Sequence, residues 1–97
     1  MTRPTKLEDE AVTTWLAAHP GWKKVASTLV RTLKFPDYEG TIAFVVKLAL
    51  AAEKRDHHPD LVVKWGAVEV TWSTHDAGGL TSLDLELAER TDALSGG

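Results

Sequence analysis

A chain of 97 residues, 43% hydrophobic and 26% charged, describes one small globular domain with room for a single core. Its formal charge of -3, with Lys and Arg scattered along the chain, argues against nucleic acid as the main partner, because phosphate binding leaves a basic stripe. The absence of Cys excludes a disulfide scaffold, a thiolate nucleophile and Cys-built zinc or iron–sulfur sites, so His and carboxylates must carry any acid–base chemistry near neutral pH.

Met1 to Glu10 is polar apart from Leu7 and does not resemble a signal peptide. The most apolar run, Thr41 to Ala52, is too short to cross a bilayer and contains Lys47. These features predict a soluble, cytoplasmic protein with no membrane partner.

Thr5-Lys6-Leu7-Glu8 has the form of a capping box and predicts that a first helix starts there. Ala11, Val12, Trp15 and Leu16 recur at helical spacing until His19-Pro20-Gly21 stops the pattern, and Trp15 reads as a core anchor. Trp22 to Phe35 is rich in β-branched and aromatic residues and predicts two strands meeting in a turn near Ala26-Ser27.

Pro36 and Asp37 break the second strand, and Asp37 is the expected N-cap of a helix from Tyr38 to about Arg55. Ile42, Phe44, Val45, Val46, Leu48, Ala49, Leu50, Ala51 and Ala52 make that helix apolar around most of its circumference. One sheet covers only one face of it. The other apolar face predicts contact with another subunit, hence a homodimer or homotetramer.

Leu61 to Trp65 and Val68 to Thr74 read as strands around Gly66-Ala67, a pair suited to a type II′ turn. Period 2 puts Val68, Val70 and Trp72 on one face, with Glu69, Thr71 and Ser73 on the other. A regular strand would carry His75 on the polar side. After the loop at Asp76-Ala77-Gly78-Gly79, Thr81 opens the last helix with Asp84 at N3, Leu80 and Leu85 at staple positions, and Leu83, Leu87 and Leu94 along the stripe. The predicted fold is α+β, order α-β-β-α-β-β-α: a single domain over 1–97 with a four-stranded antiparallel sheet and three helices on one face.

The stretch richest in chemistry is Glu53-Lys54-Arg55-Asp56-His57-His58-Pro59-Asp60. Pro59 disfavours the α conformation at His58, so the helix should end before it. The helix's negative end and Asp56 would then favour a proton on His57, a group suited to general acid–base work. The bland alternative is a histidine that satisfies terminal carbonyls. A third histidine, His75, follows Ser73-Thr74 and precedes Asp76.

Metal binding is the less favoured reading, since adjacent histidines in extended backbone point opposite ways and no H-x-H or H-x-x-x-H spacing occurs. Ser73 and Thr74 lie near His75 without a G-x-S-x-G elbow. Spacing alone reads Asp84 as a capping carboxylate. Gly78-Gly79 is too short for a phosphate loop and is expected to let the chain turn beside His75.

The runs from Ala52 to Asp60, from Ser73 to Leu80 (S-T-H-D-A-G-G-L) and from Asp84 to Ala88 closely resemble the pterin-4a-carbinolamine dehydratase family. The likeness extends to Gly21-Trp22 and Lys34-Phe35 and covers nearly the whole chain. It implies an enzyme that dehydrates 4a-hydroxytetrahydrobiopterin to quinonoid dihydrobiopterin in pterin recycling, with neither metal nor organic cofactor, and that forms dimers or tetramers. By matching position it implies that His57, His58 and His75 are the active-site histidines, with Asp84 the associated carboxylate. Glu53, Asp56, Pro59, Trp22, Thr74 and Asp76 would surround the pterin. Two other functions stay open: a non-catalytic dimerisation or binding module, and a related enzyme acting on another pterin, such as one linked to molybdopterin.

Overall fold

The computed structural model describes residues 5–96. Its elements are α1 (Asp9–Ala18), β1 (Lys23–Val25), β2 (Thr28–Lys34), α2 (Tyr38–Lys54), β3 (Asp60–Lys64), β4 (Ala67–Trp72) and α3 (Ser82–Leu94), with a short 3-10 turn at His75–Ala77. The predicted α-β-β-α-β-β-α order and the two hairpins are present.

The sheet is antiparallel throughout, in the order β1-β2-β4-β3, so the two hairpins meet along β2 and β4. Their register aligns Leu29 with Trp72, Arg31 with Val70 and Leu33 with Val68. Because side chains alternate across a strand, this puts Leu29, Leu33, Val68, Val70 and Trp72 on one face. Val12 of α1, Phe44, Leu48 and Ala52 of α2, and Leu83, Leu87 and Ala88 of α3 bury against that face in one core.

Asp37 caps α2 as expected, its carboxylate accepting the Gly40 N–H at 2.7 Å. Three local expectations are corrected. The first helix begins at Asp9, after an N-cap at Glu8, instead of at Thr5. The Leu7 N–H donates to the Leu80 carbonyl at 2.7 Å, and that long-range bond holds Thr5 to Leu7 outside the helix.

The second hairpin turns on Trp65-Gly66, with Lys64 paired to Ala67. Gly66 has φ +77 and is therefore the second central residue, whereas a type II′ turn needs glycine first. The third correction concerns β4, which stops at Trp72, so His75 lies in the 3-10 turn beyond it. Gly78, in the left-handed region at φ 75, ends that turn and sends the chain back, so that Thr74 bridges to Gly79. The turn is pinned by its own backbone and needs no strand partner.

Candidate active site

His57 is placed by the way α2 ends. The Asp56 N–H donates to the Glu53 carbonyl at 3.1 Å and the His57 N–H to the Ala52 carbonyl at 3.2 Å, while Asp56 sits at φ 49. This is a Schellman close with Asp56 in the left-handed position usually held by Gly. It turns the His57 side chain back toward the core. There the imidazole stacks on Trp72, with centroids 5.7 Å apart and planes 13° apart, and only 8% of the residue is exposed.

At the ring's edge stands Asp84, fully buried, with Oδ1 2.7 Å from His57 Nε2. Its other oxygen, Oδ2, accepts the Thr74 hydroxyl at 2.7 Å and the Thr81 N–H at 2.9 Å. Thr74 Oγ1 and Thr81 Oγ1 lie 3.1 Å apart, and both threonines are buried. Asp84 is thus both the capping carboxylate expected from its N3 position and the carboxylate bound to His57. The fixed N–H of Thr81 orients it along the first turn of α3.

His58 faces the other way, as adjacent residues in extended backbone do, and its Nε2 meets Glu53 Oε1 at 2.7 Å in an exposed pair. His75 is exposed on the 3-10 turn. The three histidines converge on one cleft of about 220 Å³, lined by Asp56, His57, His58, Ser73, Thr74, His75 and Asp76. A smaller hollow against Ser27, Gly78 and Gly79 shares Ser73, Thr74 and His75 with it.

Of the residues singled out from the sequence, Asp56, Thr74 and Asp76 therefore share the cleft with the histidines. Asp84 lies behind its wall and Glu53 reaches it through His58, while Pro59 is half-buried and outside the lining. Trp22 is elsewhere, buried with its Nε1–H donating to Asp92, which also accepts Arg31 at 2.7 Å. Among the described residues no group of three or more His, Asp or Glu is arranged to hold a metal ion.

Two residues of the site escaped sequence reading. Thr81 carried only its capping signal, because its hydroxyl meets Thr74 across the chain reversal at Gly78-Gly79. Ser73 lines both hollows as the residue after β4, a position visible only once the strand end is known. A larger groove, about 570 Å³, runs between α2 and α3 over Leu50, Ala51, Leu87 and Leu94, but no histidine lines it. Convergent proton carriers, more than volume, mark the smaller cleft as the candidate site.

The family described as "Pterin 4 alpha carbinolamine dehydratase" matches residues 5–94, and the chain belongs to it. A protein of Thermosynechococcus vestitus described as "Putative pterin-4-alpha-carbinolamine dehydratase" is 49% identical over 74 residues, 76% of this chain and 78% of that one. One of the same description from Nitrobacter winogradskyi is 42% identical over 92 residues, 93% of this chain and 91% of the relative. A crystal structure described as "transcriptional coactivator/pterin dehydratase from Brucella Melitensis" superposes with a TM-score of 0.89 at 34% identity, covering 94% of this chain and 99% of that one. A "pterin dehydratase-like protein", described as a RuBisCO assembly factor in the alpha-carboxysome, is similar at a TM-score of 0.67 and 26% identity, covering 77% of this chain and 87% of its own.

Proposed function

We propose that this protein dehydrates 4a-hydroxytetrahydrobiopterin to quinonoid dihydrobiopterin, a step of tetrahydrobiopterin recycling, by histidine acid–base catalysis. The observation that carries the reading is His57, bonded to a buried carboxylate at Nε2 and lining a cleft shared with His58 and His75. Family membership supplies the substrate class.

The substrate bears a hydroxyl on a carbon next to nitrogen. One proton must reach that hydroxyl so that water leaves, and one must depart from ring nitrogen as the carbon–nitrogen double bond forms. Two proton carriers suffice, and the reading gives these roles to His57 and His75. His58, tethered to Glu53, holds and orients the pterin with Asp56 and Asp76. Asp84 sets the proton arrangement of His57. Acid–base help of this kind contributes about 100- to 10,000-fold.

The protein is read as cytoplasmic. It is also read as a homodimer or homotetramer, supported by the exposed Val46 and Leu50 on the outer side of α2. The same exposed residues favour a second reading, in which α2 serves as a surface for binding another protein.

Stopped-flow absorbance with 4a-hydroxytetrahydropterin tests the first reading directly. Acceleration of water loss over the spontaneous rate is expected. Equal rates with and without protein would leave the binding role ahead.

A further inference from the structure

The Thr74 side chain borders the cleft, a position that suggests contact with substrate. Its hydroxyl is already committed elsewhere. Oγ1–H donates to Asp84 Oδ2 at 2.7 Å, Oγ1 lies 3.1 Å from the Thr81 hydroxyl, and the residue is 4% exposed.

The bonds to the Asp84 carboxylate are read from their fixed member. The backbone N–H of Thr81 can only donate, and it donates to Asp84 Oδ2. The Thr74 hydroxyl donates to the same oxygen, which leaves Oδ1 as the acceptor facing His57 Nε2 at 2.7 Å. With Asp84 ionised, Nε2 carries hydrogen toward it, because an unprotonated Nε2 would set its lone pair against that of Oδ1. Neutral His57 accordingly keeps its free lone pair on Nδ1.

We propose that Thr74 is a positioning residue: its hydroxyl fixes the Asp84 carboxylate, which holds His57 as the Nε2–H tautomer and makes Nδ1 the nitrogen that exchanges protons. The inference rests on the reading of His57 as a proton carrier. When Nδ1 takes a proton the ring becomes an imidazolium facing the Asp84 carboxylate, and the same Nδ1 releases it to solvent. No proton passes to Asp84. The hydroxyl is needed because without it Oδ2 keeps the Thr81 N–H as its one close donor, and a carboxylate so loosened can swing with the ring it holds.

The test uses the full chain with Thr74→Val, which keeps the shape and removes the hydroxyl, and Thr74→Ser, which restores it. Long-range ¹H–¹⁵N spectra of the histidine rings report the tautomer, and exchange of the ring N–H with water reports how firmly it is held. The unaltered protein and Thr74→Ser should show a slowly exchanging Nε2–H on His57. In Thr74→Val that proton should exchange at least about tenfold faster and kcat should fall by roughly tenfold with KM little changed, the cost of loosening an aligned group.

A raised KM with unchanged kcat would overturn the proposal and return Thr74 to substrate contact. An Nδ1–H signature in the unaltered protein would overturn the tautomer assignment. If the unaltered protein fails to dehydrate the pterin, the proposed reaction is lost, whereas the spectra still decide the tautomer and its dependence on Thr74.

Discussion

Replacing Asp84 by Asn probes the site most sharply, because it preserves shape while reversing one hydrogen bond. The amide oxygen can still accept the Thr74 hydroxyl and the Thr81 N–H, now as neutral bonds where the carboxylate made charge-assisted ones at 2.7 and 2.9 Å. Charge-assisted bonds contribute about 1.5–3 kcal/mol and neutral ones about 1, so weakening these two should cost the folded state roughly 1–4 kcal/mol, at about 4–8 °C in Tm per kcal/mol for a domain of this size.

The amide NH₂ would then face His57 Nε2, where Oδ1 now accepts at 2.7 Å. His57 must change tautomer to accept it, which puts the ring proton on Nδ1 and removes the lone pair there. Turnover should therefore fall by about 100- to 10,000-fold in a protein that still folds, the range expected when a general base loses its working nitrogen. Stopped-flow dehydration gives the rate, and a thermal melt with far-UV circular dichroism gives the stability. A folded Asp84→Asn protein turning over within twofold of the unaltered one would refute the role given to the pair.

Four further outcomes follow from the same geometry. His57→Ala and His75→Ala should each lower turnover by at least about tenfold; His75, being exposed, should leave the Tm unchanged, while loss of the buried His57 should lower it. Glu53→Gln breaks only an exposed pair with His58, so melting should stay within about 0.5 kcal/mol of the parent and any kinetic effect should appear in KM. Asp92→Ala strips Trp22 and Arg31 of their shared acceptor and should cost about 1–3 kcal/mol in urea unfolding while kcat holds, because this cluster lies outside the cleft. Leu50→Glu, on the exposed side of α2, should reduce self-association in sedimentation without changing the rate per chain if the site is complete within one subunit.

The architecture was legible because its signals are local. Strand alternation at Val68, Val70 and Trp72, the Asp37 cap and the break at His19-Pro20-Gly21 each depend on neighbours in sequence, and each appears as expected. The misread positions depend on how the chain folds back on itself, at long range for α1 and within a few residues at Gly66 and Gly78. Helix α1 starts late because Leu7 bonds Leu80, and His75 leaves the strand because the chain folds back on Gly78 to bridge Thr74 with Gly79.

The candidate site divides the same way. Adjacent histidines before a proline were visible as a helix end, but their opposite environments were not. His57 is sealed against Trp72 and Asp84, whereas His58 stands in solvent beside Glu53. Asp84 illustrates the limit most plainly, since the spacing that marks a capping carboxylate is silent on which side chain meets its second oxygen.

That second oxygen bears on what the network is for. Capping α3 needs a carboxylate at N3, and an exposed one would serve, contributing about 0.5–2 kcal/mol without desolvation. Here Asp84 is fully buried and faces a histidine that is itself almost sealed. Taking a carboxylate out of water costs several kcal/mol, and well-packed apolar side chains in place of a buried ionic group are often neutral or stabilising. The cap explains the spacing and leaves the burial unexplained. Low dielectric around the pair does have a use in proton transfer, because it strengthens the bond that fixes a ring lining the cleft. A surface-binding role for α2 draws on Val46 and Leu50 and makes no demand on His57 or Asp84. The cost of burying Asp84 is therefore better matched to the acid–base reading than to a purely structural or binding one.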